Sequence, residues 1–314
     1  MRRRTFWLTA AVVVLLGLAG LAGADTIRVV DEGGRVNVVI NESSAMLYKY
    51  GGAPYKPYVE QLWSPGGAAI LLDAPPDHLH HHALMYAVTV DGVNFWEEAT
   101  APGRQKHVAM QDVRGRADDR GARAEFGEVL DWVDPGSGRA LLQERREIRL
   151  YRSVRGGATA LEWKTTLSLP EGKASAVLSG AHYHGLGLRF VRSMDKDGRF
   201  FNADGTEGTV FRGSERLVKS RWCAYMAAAD GREVTVAMFD DPNNPRHPAM
   251  WFVIDDPFAY MSATLNLHVE PLTVQAERPL SLRYGVMVWD GRTPEERIER
   301  AYQRWVGRRA ASPG

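Results

Sequence analysis

Short runs of β-branched and aromatic residues, separated at close intervals by turn signals, constrain this chain more than any other feature of its sequence. Residues 36–40, 45–48, 84–90, 122–133, 144–151, 159–169 and 234–239 each read as a strand, several with the period-two alternation of a sheet buried on one face. Between them, Asp31-Glu-Gly-Gly, Ser64-Pro-Gly-Gly, Asp91-Gly, Asp134-Pro-Gly-Ser-Gly, Arg155-Gly-Gly, Asp197-Gly, Asp204-Gly and Asp230-Gly supply the left-handed or proline-fixed conformations of hairpins. This spacing predicts an all-β sandwich or barrel and not alternating βα units. One helix is expected, at the C-terminus. Thr293 would cap it, Pro294 suits its first position and Glu296 completes a capping box; Ile298, Ala301, Tyr302 and Trp305 then repeat on an apolar face that should pack across the sandwich. No linker interrupts the pattern, so residues 25–314 read as a single β-sandwich domain.

The first 24 residues read differently. Arg2, Arg3 and Arg4 precede an apolar run from Phe6 to Leu21 and the small residues Ala22-Gly23-Ala24, the pattern of a cleavable signal peptide. A periplasmic or extracellular protein is therefore expected, with no membrane span after leader cleavage, because charges or prolines break every later apolar run. Of 39 basic and 38 acidic residues the leader holds three arginines, which leaves 36 against 38. With the charges interspersed along the whole length and no excess of Lys and Arg, nucleic acid is excluded as a partner. The single cysteine, Cys223, forms no intrachain disulfide, so stability must come from a large core.

Four of the nine histidines fall in Asp77-His78-Leu79-His80-His81-His82, directly after Pro75-Pro76. The prolines favour an extended segment, in which His78, His80 and His82 share one face and His81 points the other way. Imidazoles clustered there suit acid–base chemistry or metal binding, and a loop role for His81 implies that its replacement should cost little stability. A second pair, His182 and His184, brackets Tyr183; His-x-His on a strand points both rings to one side, and with His80 they are the candidate ligands of a divalent metal. The third candidate is Asp240-Asp241-Pro242-Asn243-Asn244-Pro245-Arg246-His247-Pro248, a rigid loop that would present Arg246, His247 and Asn244 to a substrate. His107 and the pair Glu97 and Glu98 beside Trp96 complete the set; Trp96, Trp222 and Trp251 are potential sugar-stacking platforms, although tryptophan in a sandwich is more often core. Each group also has a structural reading, as backbone-bonded loop histidines or capping Asp and Asn. No phosphate loop, dinucleotide fingerprint, nucleophile elbow or zinc-protease helix is present.

Lys56-Pro57-Tyr58, Pro75-Pro76-Asp77-His78 with His80-His81, Asp91-Gly-Val-Asn-Phe-Trp96, Gly185-Leu-Gly187 with Arg189-Phe190, Arg221-Trp222, Asp241 to Pro248 and Leu282-Arg-Tyr284 with Asp290-Gly291 together resemble the PmoA-like family. His82 and Ala83 stand where that family usually has Arg and Gly. The resemblance implies a large β-sandwich of the kind seen in aldose epimerases and polysaccharide lyases. The membrane methane monooxygenase activity carried by the family's label would need several apolar spans, and the chain after residue 24 has none.

Two classes of function follow. One is an extracytoplasmic enzyme acting on a carbohydrate or related polyhydroxylated compound, with His80, His81, His107 and His184 as catalytic residues and Asp77, His78, Trp96, Asn244, Arg246 and His247 holding the substrate. The other is a non-catalytic sugar-binding protein or a copper or zinc carrier. Both place the three loops around one cleft, because functional side chains on a β scaffold gather in its loops.

Overall fold

In the computed structural model, which describes residues 25–153 and 157–308, alternating side chains build two large antiparallel sheets that close face to face. The expected signal peptide, residues 1–24, and the first two residues of the expected Arg155-Gly-Gly turn lie outside the described residues. A ten-stranded sheet runs from Ile27–Asp31 at one edge, through Leu84–Ala87, Gly185–Arg189, Tyr260–Thr264 and Met250–Ile254, to Thr209–Arg212 at the other. The eight-stranded sheet runs from Arg199–Asn202 through Arg232–Asp240, Leu280–Asp290 and Ala158–Ser168 to Arg104–Asp118, and a four-stranded sheet sits beside them. The fold is thus an all-β, large sandwich with one C-terminal helix.

Registered partners on neighbouring strands share a face, so the pairing shows which residues build the core. In the ten-stranded sheet Leu186 lies beside Tyr86 and Ala263, and Leu188 beside Leu84 and Met261; all six are buried in the cluster shared with the eight-stranded sheet. The intervening positions Gly187, Arg189, Tyr260 and Ser262 therefore face the other side, outward. In the eight-stranded sheet Leu161 and Val286 point inward, whereas the pairs Ala158 with Trp289 and Ala160 with Met287 point outward.

The expected strand at residues 84–90 is two strands: Leu84–Ala87 joins the ten-stranded sheet and Thr89–Val90 the small one. A continuous apolar run does not record a change of sheet. The helix, Glu295–Arg308, buries Ile298, Ala301, Tyr302 and Trp305 as the periodicity required, against the outer face of the eight-stranded sheet. Its capping box does not form: the backbone N–H of Thr293 is donated to Thr235 Oγ1 at 2.9 Å, the acceptor coming from the sheet and not from Glu296. Trp222 and Trp251 are core residues whose indole N–H groups are donated to Glu299 and to the Ser220 carbonyl, both at 2.7 Å, so neither is a stacking platform.

Candidate functional site

The outward face of the ten-stranded sheet carries a cavity of about 220 Å³, floored by Phe252, Ile254 and Tyr260 and walled by the histidine loop, Trp96 with Glu97, Tyr183 and the Arg212–Glu215 pair. The loop is not extended. His78 N–H is donated to the Pro75 carbonyl and His81 N–H to that of His78, both at 2.9 Å, so residues 75–81 form consecutive turns that stack the rings. His81 lies between His78 at 4.5 Å and Tyr260 at 5.1 Å, with only 4% of the residue exposed. This corrects the expectation of a freely replaceable loop histidine: His81 is part of the packing. Burial first, then neighbouring positive charges, drives its pKa far below the ordinary value, so it is a neutral imidazole.

His80 meets Trp96 edge-on at 5.2 Å and opens into the cavity. Its pKa is also lowered, chiefly by burial and then by the charge of Lys56. Opposite, Glu97 accepts a hydrogen bond from Tyr183 Oη at 2.6 Å, and burial with that carboxylate raises the tyrosine's pKa. Arg212 donates to Glu215 at 2.7 Å on the rim. The cavity thus offers a neutral imidazole, a carboxylate and a guanidinium on aromatic walls.

Behind the wall lies a buried charge cluster that no local sequence pattern reveals. His82 donates Nδ1–H to Asp73 at 2.8 Å and Nε2–H to Glu98 at 3.0 Å, and its ring stacks on Tyr58. Glu98 also takes Lys56 Nζ, which donates to the Trp96 carbonyl at 3.1 Å as well, and Tyr58 Oη donates to Asp73 at 2.7 Å. Burial pushes the His82 pKa down, but the two carboxylates outweigh it and hold the ring protonated above its usual range. The same bonds hold Asp73 and Glu98 below theirs against burial. The cluster ties the histidine loop to the segment that carries Trp96 and Glu97. On the other flank Arg189, only 2% exposed, pairs with Asp77 at 3.0 Å and lies over the Phe258 ring at 3.8 Å. Burial raises the Asp77 carboxyl, but hydrogen bonds from His78 and the backbone and the Arg189 charge bring it to about 2. Asp77 therefore anchors the loop.

The other expected residues are placed elsewhere, and the single cleft of three loops is corrected. His107 sits on the long strand Arg104–Asp118, donating to Glu128 at 2.8 Å and packing on Tyr50. Arg246 spends its guanidinium on the backbone carbonyls of Leu265, Glu270 and Pro271 at 2.7, 2.6 and 3.1 Å. Asn244 bridges Asp240 and the backbone of Arg283, and His247 bonds Asp240 at 2.7 Å. That loop is locked by its own polar groups and does not line the histidine cavity. His182 and His184 lie around a turn, not on a strand: His182 stacks on Phe211 at 3.7 Å, whereas His184 is buried in parallel against Trp96 at 5.3 Å, its pKa lowered to about 3 mainly by burial. Among the described residues no three His, Cys, Asp or Glu side chains converge as a metal centre requires, so His80, His182 and His184 do not form one.

Tyr260 reaches the cavity floor because position 187, its diagonal neighbour on the adjacent strand, is glycine. A Cβ there would lie 1.6 Å from Tyr260 Oη and 2.6 Å from its Cζ. Gly187→Ala should displace that ring and cost about 1–3 kcal/mol of stability, the range of overpacking. Urea unfolding of the variant checks this, and an unchanged midpoint would show that Tyr260 is not held where the geometry puts it.

Fold and site define a β-sandwich protein with an aromatic-walled, histidine-bearing pocket on the outer face of its larger sheet. Residues 35–303 match the model of DUF6807, a family of unknown function, and the chain belongs to that family. This match corrects the resemblance to PmoA-like proteins; in addition, no helix among the described residues is long and apolar enough to cross a membrane. No curated protein matches the chain. Remote structural likenesses include an α-galactosidase from Lactobacillus brevis, with a TM-score of 0.40 and 8% identity over 91% of this chain and 40% of that one. The α-galactosidase AgaA of Geobacillus stearothermophilus aligns with a TM-score of 0.42 and 12% identity over 85% of this chain and 41% of its own. YeaD of Salmonella typhimurium, named as a mutarotase, aligns with a TM-score of 0.34 and 12% identity over 89% and 97% of the two chains. The chain thus spans about 40% of the galactosidases' length.

Proposed function

We propose that this protein is an exported enzyme that takes a small polyhydroxylated ring, a sugar or close relative, into the histidine cavity and moves protons at its hydroxyl-bearing carbons. The observation that carries this reading is the convergence of His80, kept neutral by burial, with Glu97 and the Arg212–Glu215 pair between the walls of Trp96 and Tyr183 and above the floor of Phe252. Aromatic faces suit the apolar side of a sugar ring, and the charged and imidazole groups suit its hydroxyls. The volume of about 220 Å³ lies below the roughly 300–1,000 Å³ of pockets that enclose drug-sized ligands, which favours a single ring. In this scheme His80 and Glu97 exchange protons with the ring, Tyr183 orients Glu97, and His81 packs the loop without titrating.

A panel of sugars and sugar acids, followed by tryptophan fluorescence for binding and by product analysis for turnover, tests the scheme. His80→Ala and Glu97→Gln should each lower turnover by about 10²–10⁴-fold, the usual contribution of a positioned acid or base, while binding changes far less. A ligand that binds and is never converted would favour the non-catalytic reading. Export rests on the arginine-led apolar run at residues 2–24, and predicts an intact mass beginning at Asp25; recovery of the full-length chain from membranes would refute it.

A further inference from the structure

We propose a second binding site, for an oligosaccharide that carries carboxylates, in the groove between the C-terminal helix and the outer face of the eight-stranded sheet. This groove is on the opposite side of the sandwich from the histidine cavity and is larger, about 480 Å³. Its floor is low because Ala158 and Ala160 stand where the outward positions of a strand would otherwise carry bulk, with Met287 beside them. Its wall is a stripe of arginines.

Arg297, Arg300, Arg304 and Arg308 follow one another at helical spacings of three, four and four, so they share one face of Glu295–Arg308 and extend over roughly 16 Å at 1.5 Å per residue. Among the described residues none that lines this groove is acidic. Arg300, Arg304 and Arg308 are exposed, and Arg308 lies over the Tyr151 ring at 5.3 Å. The like charges of the exposed Arg300, Arg304 and Arg308 repel along one helix face, and an anion that bridges these three relieves them. The planar guanidinium favours carboxylate over a point-like anion, since it can donate two parallel hydrogen bonds.

The neighbouring cavity, about 360 Å³, decides between an acidic sugar and an acidic peptide. It shares Tyr151, Trp305 and Arg308 with the arginine groove, so the two run together, and it adds the cations Arg149, Lys164 and Arg283, the acids Glu162 and Asp241, and the amide and hydroxyl groups of Asn243 and Ser281. A groove that is cationic and apolar along one half and rich in mixed donors and acceptors along the other fits a chain of rings bearing both carboxylates and hydroxyls. A polyglutamate has no hydroxyls to meet Asn243 and Ser281, and Glu162 is already held by Arg149 and Arg283, so the second half selects by hydroxyl matching and not by repulsion.

Isothermal titration of the whole protein with trigalacturonate, maltotriose and hexaglutamate tests the proposal at low ionic strength. Trigalacturonate should bind, and lose affinity steeply as salt rises. Binding should weaken at least tenfold in Arg300→Gln/Arg304→Gln, whose exposed positions leave the melting temperature unchanged, and also in Ala160→Phe, which fills the floor without touching charge. His80→Ala should leave it intact, which separates this site from the catalytic reading. Absence of trigalacturonate binding, full affinity in the double variant, or equal binding of maltotriose would overturn the site. Tighter binding of hexaglutamate would overturn its assignment to a sugar.

Discussion

Arg146→Ala should lower the unfolding free energy by about 3–5 kcal/mol, the cost of leaving a buried charge without its partner. Arg146 is fully buried between the two sheets. Its guanidinium donates to both Glu144 oxygens at 2.8 and 3.0 Å, to Tyr48 Oη and Gln105 Oε1 at 3.0 Å, and to the Pro57 carbonyl at 2.9 Å, while its face lies 4.5 Å over Trp163. Tyr48 belongs to the ten-stranded sheet and Glu144 and Trp163 to the eight-stranded one, so a single side chain joins the layers. Glu144 also accepts from Trp132 Nε1 and Thr165 Oγ1, both at 2.9 Å; with the arginine gone, these neutral donors cannot balance a buried carboxylate. Replacing both charges with apolar residues of similar volume, as in Arg146→Met/Glu144→Leu, should recover most of the loss, because the pair also carries a desolvation cost. Equilibrium urea unfolding of the three proteins measures it. If Arg146→Ala alone costs under 1 kcal/mol, the inter-sheet link does not hold the sandwich.

Much of this architecture was legible because it rests on local periodicity. Alternation at residues 36–40 returned the strand Arg35–Ile40, and the helix followed from its apolar stripe alone. What was not legible depends on distance along the chain. Lys56 and Glu98 are 42 residues apart and His82 and Glu98 are 16 apart, so no window of sequence brings them together. His82 proves to be the buried centre of the cluster, its ring held by Asp73 and Glu98 from distant parts of the chain. The histidine loop was located correctly and its internal geometry was not, since two prolines fix where a turn begins but not how its rings stack. For the loop at residues 240–248 the residue types did not show which cavity it borders: it lies at the groove beside the C-terminal helix and not at the histidine cavity, and the three carbonyls that take Arg246 lie 19–25 residues downstream.

This dependence on a charged cluster gives the pocket a pH signature, and His82→Gln should expose it. His82 has its pKa raised in the folded state, so its contribution to stability is complete below its unfolded value of 6.5 and is lost as pH rises through the higher folded value. Asp73 and Glu98 have theirs lowered, so their contributions are complete above the unfolded values of 3.8 and 4.5 and are lost as pH falls through the lower folded ones. The cluster is therefore at full strength between about 4.5 and 6.5, where both carboxylates and the imidazolium are charged. In that window His82→Gln leaves Asp73 with Tyr58 alone and Glu98 with Lys56 alone, and the variant should be less stable than the wild type by about 3–5 kcal/mol. The gap should narrow as pH rises from 6.5 through the raised folded value, where the wild type sheds the proton that makes the ring a double donor. It should also narrow as pH falls from 4.5 through the lowered folded values of Asp73 and Glu98, where the wild type's carboxylates gain protons. Binding at the histidine cavity should weaken with the same profile, since the cluster holds Trp96 and Glu97 against the histidine loop. Urea unfolding of both proteins at pH 5.5 and 8.5 decides the matter: a gap that is constant, or larger at pH 8.5, would mean that His82 is neutral in the fold and that its two carboxylates do not hold the pocket together.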